Sequence, residues 1–203
     1  EKLVSSFIAF ENQISLDNTF VHNMRTEAIK RFETKGFPAK KEEAWKYTSL
    51  GKILKHDFSV FSKIESTVEY KDVQPYFIND IDSYKIVFVD GKYASHLSET
   101  THEGIDICLM STALTKPKYR LVIENYFNKI AAKDSITSLN TAFSIEGAYV
   151  HITKNKMVEK PIQIIHFYTG NEAALLLQPR NLIVVDENAH VQIIERHQSL
   201  TDN

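Results

Sequence analysis

The groups in this sequence that could bind a metal or move a proton are its histidines, its lone thiol and its carboxylates. The histidines are His22, His56, His96, His102, His151, His166, His190 and His197. None sits at a recognised metal-ligand spacing from a carboxylate. Glu195 and His197 are two residues apart, so on a strand they point to the same side. The common reading of such a pair is a solvated polar face. His166 lies inside Ile164-Ile165-His166-Phe167-Tyr168, where a histidine is expected to be a hydrogen-bonded structural residue. Cys108, the only cysteine, has Ile107 and Leu109 beside it and reads as a small buried hydrophobe rather than a nucleophile. Glu42 and Glu43 are adjacent. On a helix they would diverge by roughly 100° and could not share a proton. The run Lys40-Lys41-Glu42-Glu43 is expected to be a solvated helix face. These residues give no nucleophile, no acid–base pair and no metal ligand: catalytic, cofactor-binding and metal residues are all expected to be none.

Several chemistries are missing outright. There is no G-x-x-x-x-G-K-[ST] loop to cradle phosphates, no G-x-G-x-x-G turn, no H-E-x-x-H pair and no C-x-x-C pair. An iron–sulfur cluster is ordinarily held by about four thiolates, some replaceable by histidine. With Cys108 alone, this segment is expected to hold no cluster and no other cofactor.

The bulk properties are those of a soluble globular chain. Its 203 residues carry a formal net charge of −2, and 43% are hydrophobic. That length supports one sizeable domain or two small ones. The charge gives no reason to expect nucleic acid or an anionic membrane as partner. No apolar run approaches the roughly 18 residues of a membrane helix. Glu1 to Phe7 lacks the basic-then-apolar form of a signal peptide. One thiol cannot make an intrachain disulfide, which fits a reducing compartment. The expected location is the cytoplasm.

The elements that would position these groups fall in two regions. Leu3, Phe7, Phe10 and Ile14 share one helical face. Asp17, Asn18 and Thr19 offer an N-cap to a second helix carrying Phe20, Met24, Ala28 and Phe32. Gly36 and Pro38 end it. Residues 39–55 read as a further helical stretch, broken near 48–51. Residues 58–80 read as loop with short elements. Tyr84 to Val89 is a strand that enters an Asp90-Gly91 hairpin turn. Residues 105–109 form another strand, and 118–133 a helix carrying Tyr119, Val122, Ile123, Tyr126, Phe127 and Ile130, with Pro117 in its first turn. Beyond residue 143 strands are expected near 145–152, 161–168, 173–178, 181–186 and 190–197. Their spacing suits a sandwich, a barrel or a β-solenoid and does not choose among them.

One stretch is distinctive. Pro38-Ala39-Lys40-Lys41-Glu42-Glu43-Ala44-Trp45-Lys46-Tyr47-Thr48 fits a P-x-x-K-x-E-x-W-K-Y-T pattern. With Val87-Phe88-Val89-Asp90-Gly91, Ser138-Leu139-Asn140-Thr141-Ala142-Phe143 followed by Gly147, Glu159-Lys160-Pro161-Ile162, and Pro179-Arg180-Asn181-Leu182, it resembles the SufD branch of the SufB/SufD family of iron–sulfur cluster assembly scaffold proteins. The resemblance implies an α+β fold: an N-terminal helical and α+β region, residues 1–134, leading into the first turns of a right-handed parallel β-helix, residues 135–203. It implies a non-enzymatic accessory subunit of the SUF system that works with SufB and the ATPase SufC and forms homodimers in isolation. Full-length members are much longer. Their SufC-binding surface and cluster-forming positions lie beyond the matched region, so the resemblance assigns no ligand to this chain. Trp45 and Tyr47 are expected to be packing residues.

Two other readings remain open at this point. A β-helix enzyme acting on polysaccharide would need clustered acidic and basic side chains, for which the strands offer Lys160, Arg180, Glu195 and Arg196. The segment could also be a partner-docking module without chemistry. An open solenoid end would leave an unpaired edge, so the 203-residue piece expressed alone is expected to associate.

Overall fold

The computed structural model describes residues 2–14, 18–60, 65–78, 80–99, 105–130, 133–172 and 174–201. The fold is α+β. Contacts divide the chain into two units, each assembled from separated segments. One comprises Glu1–Phe61, Leu114–Ile145 and Ala174–Gln178; the other comprises Ser62–Ala113, Glu146–Ala173 and Pro179–Asn203.

The first unit is helical. Helix α1 (Lys2–Ile14) buries Phe7 and Phe10. Helix α2 (Thr19–Lys35) starts at Asn18, whose side-chain oxygen accepts from the Val21 N–H at 3.2 Å. It ends at Gly36, where φ is +67°. That sign suits glycine, which has no Cβ to clash. Asp17 lies outside the described residues. The Arg25 side chain joins three segments. It is 1% exposed, approaches Glu11 on α1 at 3.4 Å and donates to the Ser144 carbonyl at 2.5 Å. Burial depresses its pKa, and the Glu11 carboxylate opposes that shift.

Residues 39–55 do not form the expected helix. They contain two short 3-10 turns, Glu43–Trp45 and Ile53–Lys55. From Ala39 to Asp57 every residue is exposed except the half-buried Trp45 and Leu50. An isolated helix of this length is marginal without an apolar face to bury. The Glu42 carboxylate instead accepts from the Ala39 N–H at 2.8 Å and closes a turn. Tyr47 is 89% exposed, so of the two signature aromatics only Trp45 packs at all.

In the second unit the described residues of the expected loop region form short helical pieces, α3 (Tyr70–Val73) and a 3-10 turn, Gln74–Tyr76. Strands β1 (Tyr84–Val89) and β2 (Lys92–Tyr93) form the expected hairpin. Asp90 and Gly91 at its turn both have positive φ, 46° and 78°, as a two-residue turn of this kind requires. Strand β3 (Asp106–Leu109) follows and runs into α4 (Met110–Thr115).

Two helices then return to the first unit. Helix α5 (Arg120–Tyr126) is shorter than expected. Phe127 is already extended, with ψ of 128°, Asn128 follows with φ of +62°, and Tyr126 and Ile130 are exposed rather than packed. Helix α6 (Ser135–Phe143) was not anticipated. Its signals are local: Asp134 as N-cap, then Leu139, Ala142 and Phe143 at helical spacing, packed against Phe7, Phe10, Ala28 and Phe32. Phe10 and Phe143 meet edge to face at 4.9 Å.

The remaining strands are β4 (Ala148–Ile152), β5 (Ile162–Tyr168), β6 (Leu182–Val185) and β7 (Ile193–Ser199). Among the described residues 174–178 no strand forms; Leu175 makes a single bridge with Ser59. From β4 to β7 successive strands alternate between two sheets. One has the order β2-β1-β5-β7 and the other β3-β4-β6. The pairings β1–β5, β5–β7 and β4–β6 are parallel. Between the sheets Ile86, Phe88, Ile162 and Ile164 meet Ala148, Val150 and Ile152. The opposite face of β1 and β5, with Val87, Val89, Ile165 and Phe167, packs on Val73, Phe77, Ala94 and Leu97.

Gly147 opens β4 where the backbone at Arg180 passes very close. A Cβ on Gly147 would lie 2.0 Å from the Arg180 carbonyl oxygen, and Arg180 also donates its N–H to the Glu146 carbonyl at 3.0 Å. Gly147→Ala is therefore expected to lower unfolding free energy by about 3 kcal/mol or fold poorly; urea denaturation measures this, and a near-neutral result would contradict the close approach. Asp134 accepts from the Thr137 N–H at 2.8 Å and hydroxyl at 2.7 Å, bonds that hold its carboxyl below the usual range. A depressed carboxyl pKa stabilises the fold above its unfolded value of about 3.9 and loses that effect as pH falls. Asp134→Ala should cost about 1 kcal/mol at neutral pH, and the gap from the parent should close as the buffer is acidified towards the native carboxyl pKa.

Candidate functional site

The parallel ladder gathers three potential ligands that the sequence separates. In the register of β5 and β7, His166 is opposite His197 and Ile164 is opposite Glu195; in the register of β1 and β5, Phe88 is opposite His166. Residues two apart on a strand share a face. Along β5 that face carries Ile162, Ile164, His166 and Tyr168, and along β7 it carries Ile193, Glu195, His197 and Ser199. It is the face turned to the inter-sheet core, which changes here from apolar to polar.

Phe88, His166 and His197 form a stacked row. The Phe88 and His166 rings lie 4.9 Å apart with a 10° angle between planes, and His166 and His197 lie 4.6 Å apart at 8°. These spacings follow the strand separation of roughly 4.8 Å. Glu195 Oε1 is 3.4 Å from His197 Nε2 and 3.8 Å from His166 Nε2. The three potential ligand atoms all lie within 4.8 Å of one another. Asn181 donates its side-chain N–H to Glu195 Oε1 at 2.9 Å and accepts from the Ala148 N–H at 2.7 Å. This fixes the carboxylate to the start of the second sheet. Tyr168 Oη lies 2.6 Å from His197 Nδ1.

The two histidines differ in environment. The His166 side chain is 3% exposed, and its Nε2 has no hydrogen-bond partner among the described residues. The sequence expectation of a hydrogen-bonded structural histidine therefore fails at that nitrogen. Burial, with the His197 ring adding to it, pushes the His166 pKa down to about 4. His166 is thus neutral at physiological pH. His197 and Glu195 are each close to half exposed. Burial, then the negative charges of Glu195 and Asp90, raise the Tyr168 pKa and keep its phenol protonated.

The other groups stay apart. His22 meets Glu11, His96 meets the Val68 carbonyl and His151 meets Asp186. His102 lies outside the described residues. His190 is exposed. Cys108 is half-buried on β3. Of the residues an acidic-polysaccharide site would use, Lys160, Glu195 and Arg196 go to different partners: Arg196 donates to the Tyr76 carbonyl, Lys160 pairs with Asp82, and Glu195 faces the histidines. An open groove of about 1130 Å³ in the helical unit, lined by Phe32, Phe37, Leu54, His56 and Phe58, has Lys2 and Asp57 paired with each other at its rim. Among the described residues no helix is long and apolar enough to cross a membrane.

Sequence reasoning treated His166 and the Glu195–His197 pair separately. The missing information was the register: nothing local says that β5 and β7 pair in parallel with these residues opposed. Because its Nε2 has no hydrogen-bond partner among the described residues, His166→Phe should keep the stacked row and leave thermal stability unchanged or slightly raised, whereas His166→Ala should cost about 3 kcal/mol through the cavity it leaves. Calorimetry on both variants decides; a strongly destabilised Phe variant would show that the imidazole makes an essential polar contact.

The chain is similar to known proteins over most of its length. A family model described as "SufBD protein N-terminal region" matches residues 2–164. Curated relatives include an iron–sulfur cluster assembly SufBD family protein of Synechocystis sp., 24% identical over 92% of this chain and 41% of the relative. They also include the iron–sulfur cluster assembly proteins SufD of Bacillus subtilis, 25% identical over 88% of this chain and 41% of the relative, and of Escherichia coli, 24% identical over 82% and 37%. The chain thus spans about two fifths of the length of these relatives. With the family model covering residues 2–164 of its 203 residues, this chain belongs to the SufBD family of iron–sulfur cluster assembly proteins.

Proposed function

We propose that the chain is the N-terminal part of a SufD-type accessory scaffold subunit, which acts with SufB and the ATPase SufC and catalyses no reaction by itself. The observation that carries this reading is the family match over residues 2–164, extended by SufD relatives that align with most of the chain. The pattern of strands supports the finer picture. From β5 onward each strand lies in the sheet opposite to that of the strand before it, and β6 and β7 pair in parallel with β4 and β5, the strands two before them. That is how the first coils of a parallel β-helix run, here taken as right-handed. The rigid stack would serve as a platform on which partners are held.

In this account the cluster is a product handled by the whole complex, not a resident cofactor of this segment. One half-buried thiol cannot supply the thiolate set a cluster needs. The protein works in the cytoplasm, forms a homodimer when isolated, and contacts neither nucleic acid nor membrane. The lack of convergence among Lys160, Arg196 and Glu195 favours this reading over a polysaccharide-acting enzyme.

Affinity capture tests it. The complete natural protein, tagged, should retain the SufB and SufC homologues of its own cell, while residues 1–203 alone should retain neither. Failure of the complete protein to capture either homologue would overturn the proposed role. Capture by residues 1–203 alone would move the partner surface into this segment.

A further inference from the structure

We propose that His166, Glu195 and His197 form a binding site for a divalent first-row transition-metal ion, held by the two imidazole Nε2 atoms and the Glu195 carboxylate. This goes beyond the scaffold role and replaces the sequence expectation that no residue of the chain ligates a metal.

The donor set is the first argument. Two imidazoles and one carboxylate suit borderline ions such as iron(II), cobalt(II) and zinc(II), and leave further coordination positions for water or a second ligand. The distances are the second. Four-coordinate ligands at the usual lengths of about 2.0–2.2 Å stand roughly 3.4 Å from each other. Glu195 Oε1 is already 3.4 Å from His197 Nε2 and 3.8 Å from His166 Nε2. The third argument is His166 itself. A buried polar atom without a partner is uncommon and costly, yet His166 Nε2 has no hydrogen-bond partner among the described residues, and the Glu195 carboxylate lies 3.8 Å from it. An ion would occupy its lone pair.

The groups around the three ligands fit the role. A ligating imidazole usually donates its second N–H to an oxygen, which fixes the tautomer. Tyr168 Oη is placed to accept from His197 Nδ1 at 2.6 Å. Asn181 holds the Glu195 carboxylate through Oε1 at 2.9 Å. One adjustment is needed. Stacked rings at 8° aim their lone pairs side by side rather than at one point. Capture of an ion therefore tilts one ring out of the row. His197, 48% exposed, is the one that can move, because His166 lies between Phe88 and His197.

The experiment uses the complete natural protein, purified without metal and without partner proteins, and titrated anaerobically with cobalt(II) as a spectroscopic probe, then with zinc(II) in competition. The parent protein should take up one equivalent of cobalt(II) that zinc(II) displaces. In His197→Gln, Glu195→Gln and His166→Phe that equivalent should bind at least about tenfold more weakly, and Tyr168→Phe should weaken it by about tenfold. Circular dichroism and thermal unfolding confirm that each variant is folded; the exposed positions 195 and 197 keep the test open if the His166 variant is not. Uptake in the folded Glu195 and His197 variants equal to that of the parent, or no uptake by the parent, would overturn the site. Because no partner is present, this result is separate from the capture experiment.

Discussion

The arrangement of the second unit depends on the parallel register of β5 with β1 and β7. From Tyr84 opposite Ile162 to Tyr168 opposite Ser199, each residue is set beside one on the next strand at a spacing fixed by the backbone ladder. A shift by one residue would turn Ile162 and Ile164 out of the inter-sheet core and put Gln163 and Ile165 in their place. The apolar cost of that exchange pins the register. Once it is pinned, the row of Phe88, His166 and His197 follows, and with it the approach of Glu195. The polar cluster is a by-product of apolar packing a few residues earlier on the same strands.

The same logic explains the close contact at Gly147. Strand β4 begins where the chain approaching β6 passes against it, and only a residue without a side chain fits beneath the Arg180 carbonyl. Asn181, the next residue, bonds both the Ala148 N–H and the Glu195 carboxylate. One short segment thus sets the start of one sheet and an acidic group on the other. The helical unit uses a different anchor. Buried Arg25 ties α1 and α2 to the residue after α6 through Glu11 and the Ser144 carbonyl.

Much of this was legible in local signals. Asn18, Gly36 and Asp90-Gly91 act as the cap, stop and turn that their chemistry predicts, because each is decided within a few residues. Helix α6 carried equally local signals and was still missed, since its motif was read only as a family likeness. Residues 39–55 misled in the opposite direction: helical propensity there has no apolar face to complete it, and Tyr47 ends up in solvent. The cluster at His166 could not be read at all. His166 and His197 become neighbours only through a parallel pairing, and parallel register leaves no mark in either strand alone.

The central claim is that this protein serves iron–sulfur cluster assembly. The most direct measurement is the activity of an iron–sulfur enzyme in cells that lack the gene for the complete protein, compared with the amount of that enzyme's polypeptide. The account predicts that activity falls while the polypeptide persists, and that restoring the gene restores activity. Unchanged activity per polypeptide, under iron limitation as well as in rich medium, would contradict it.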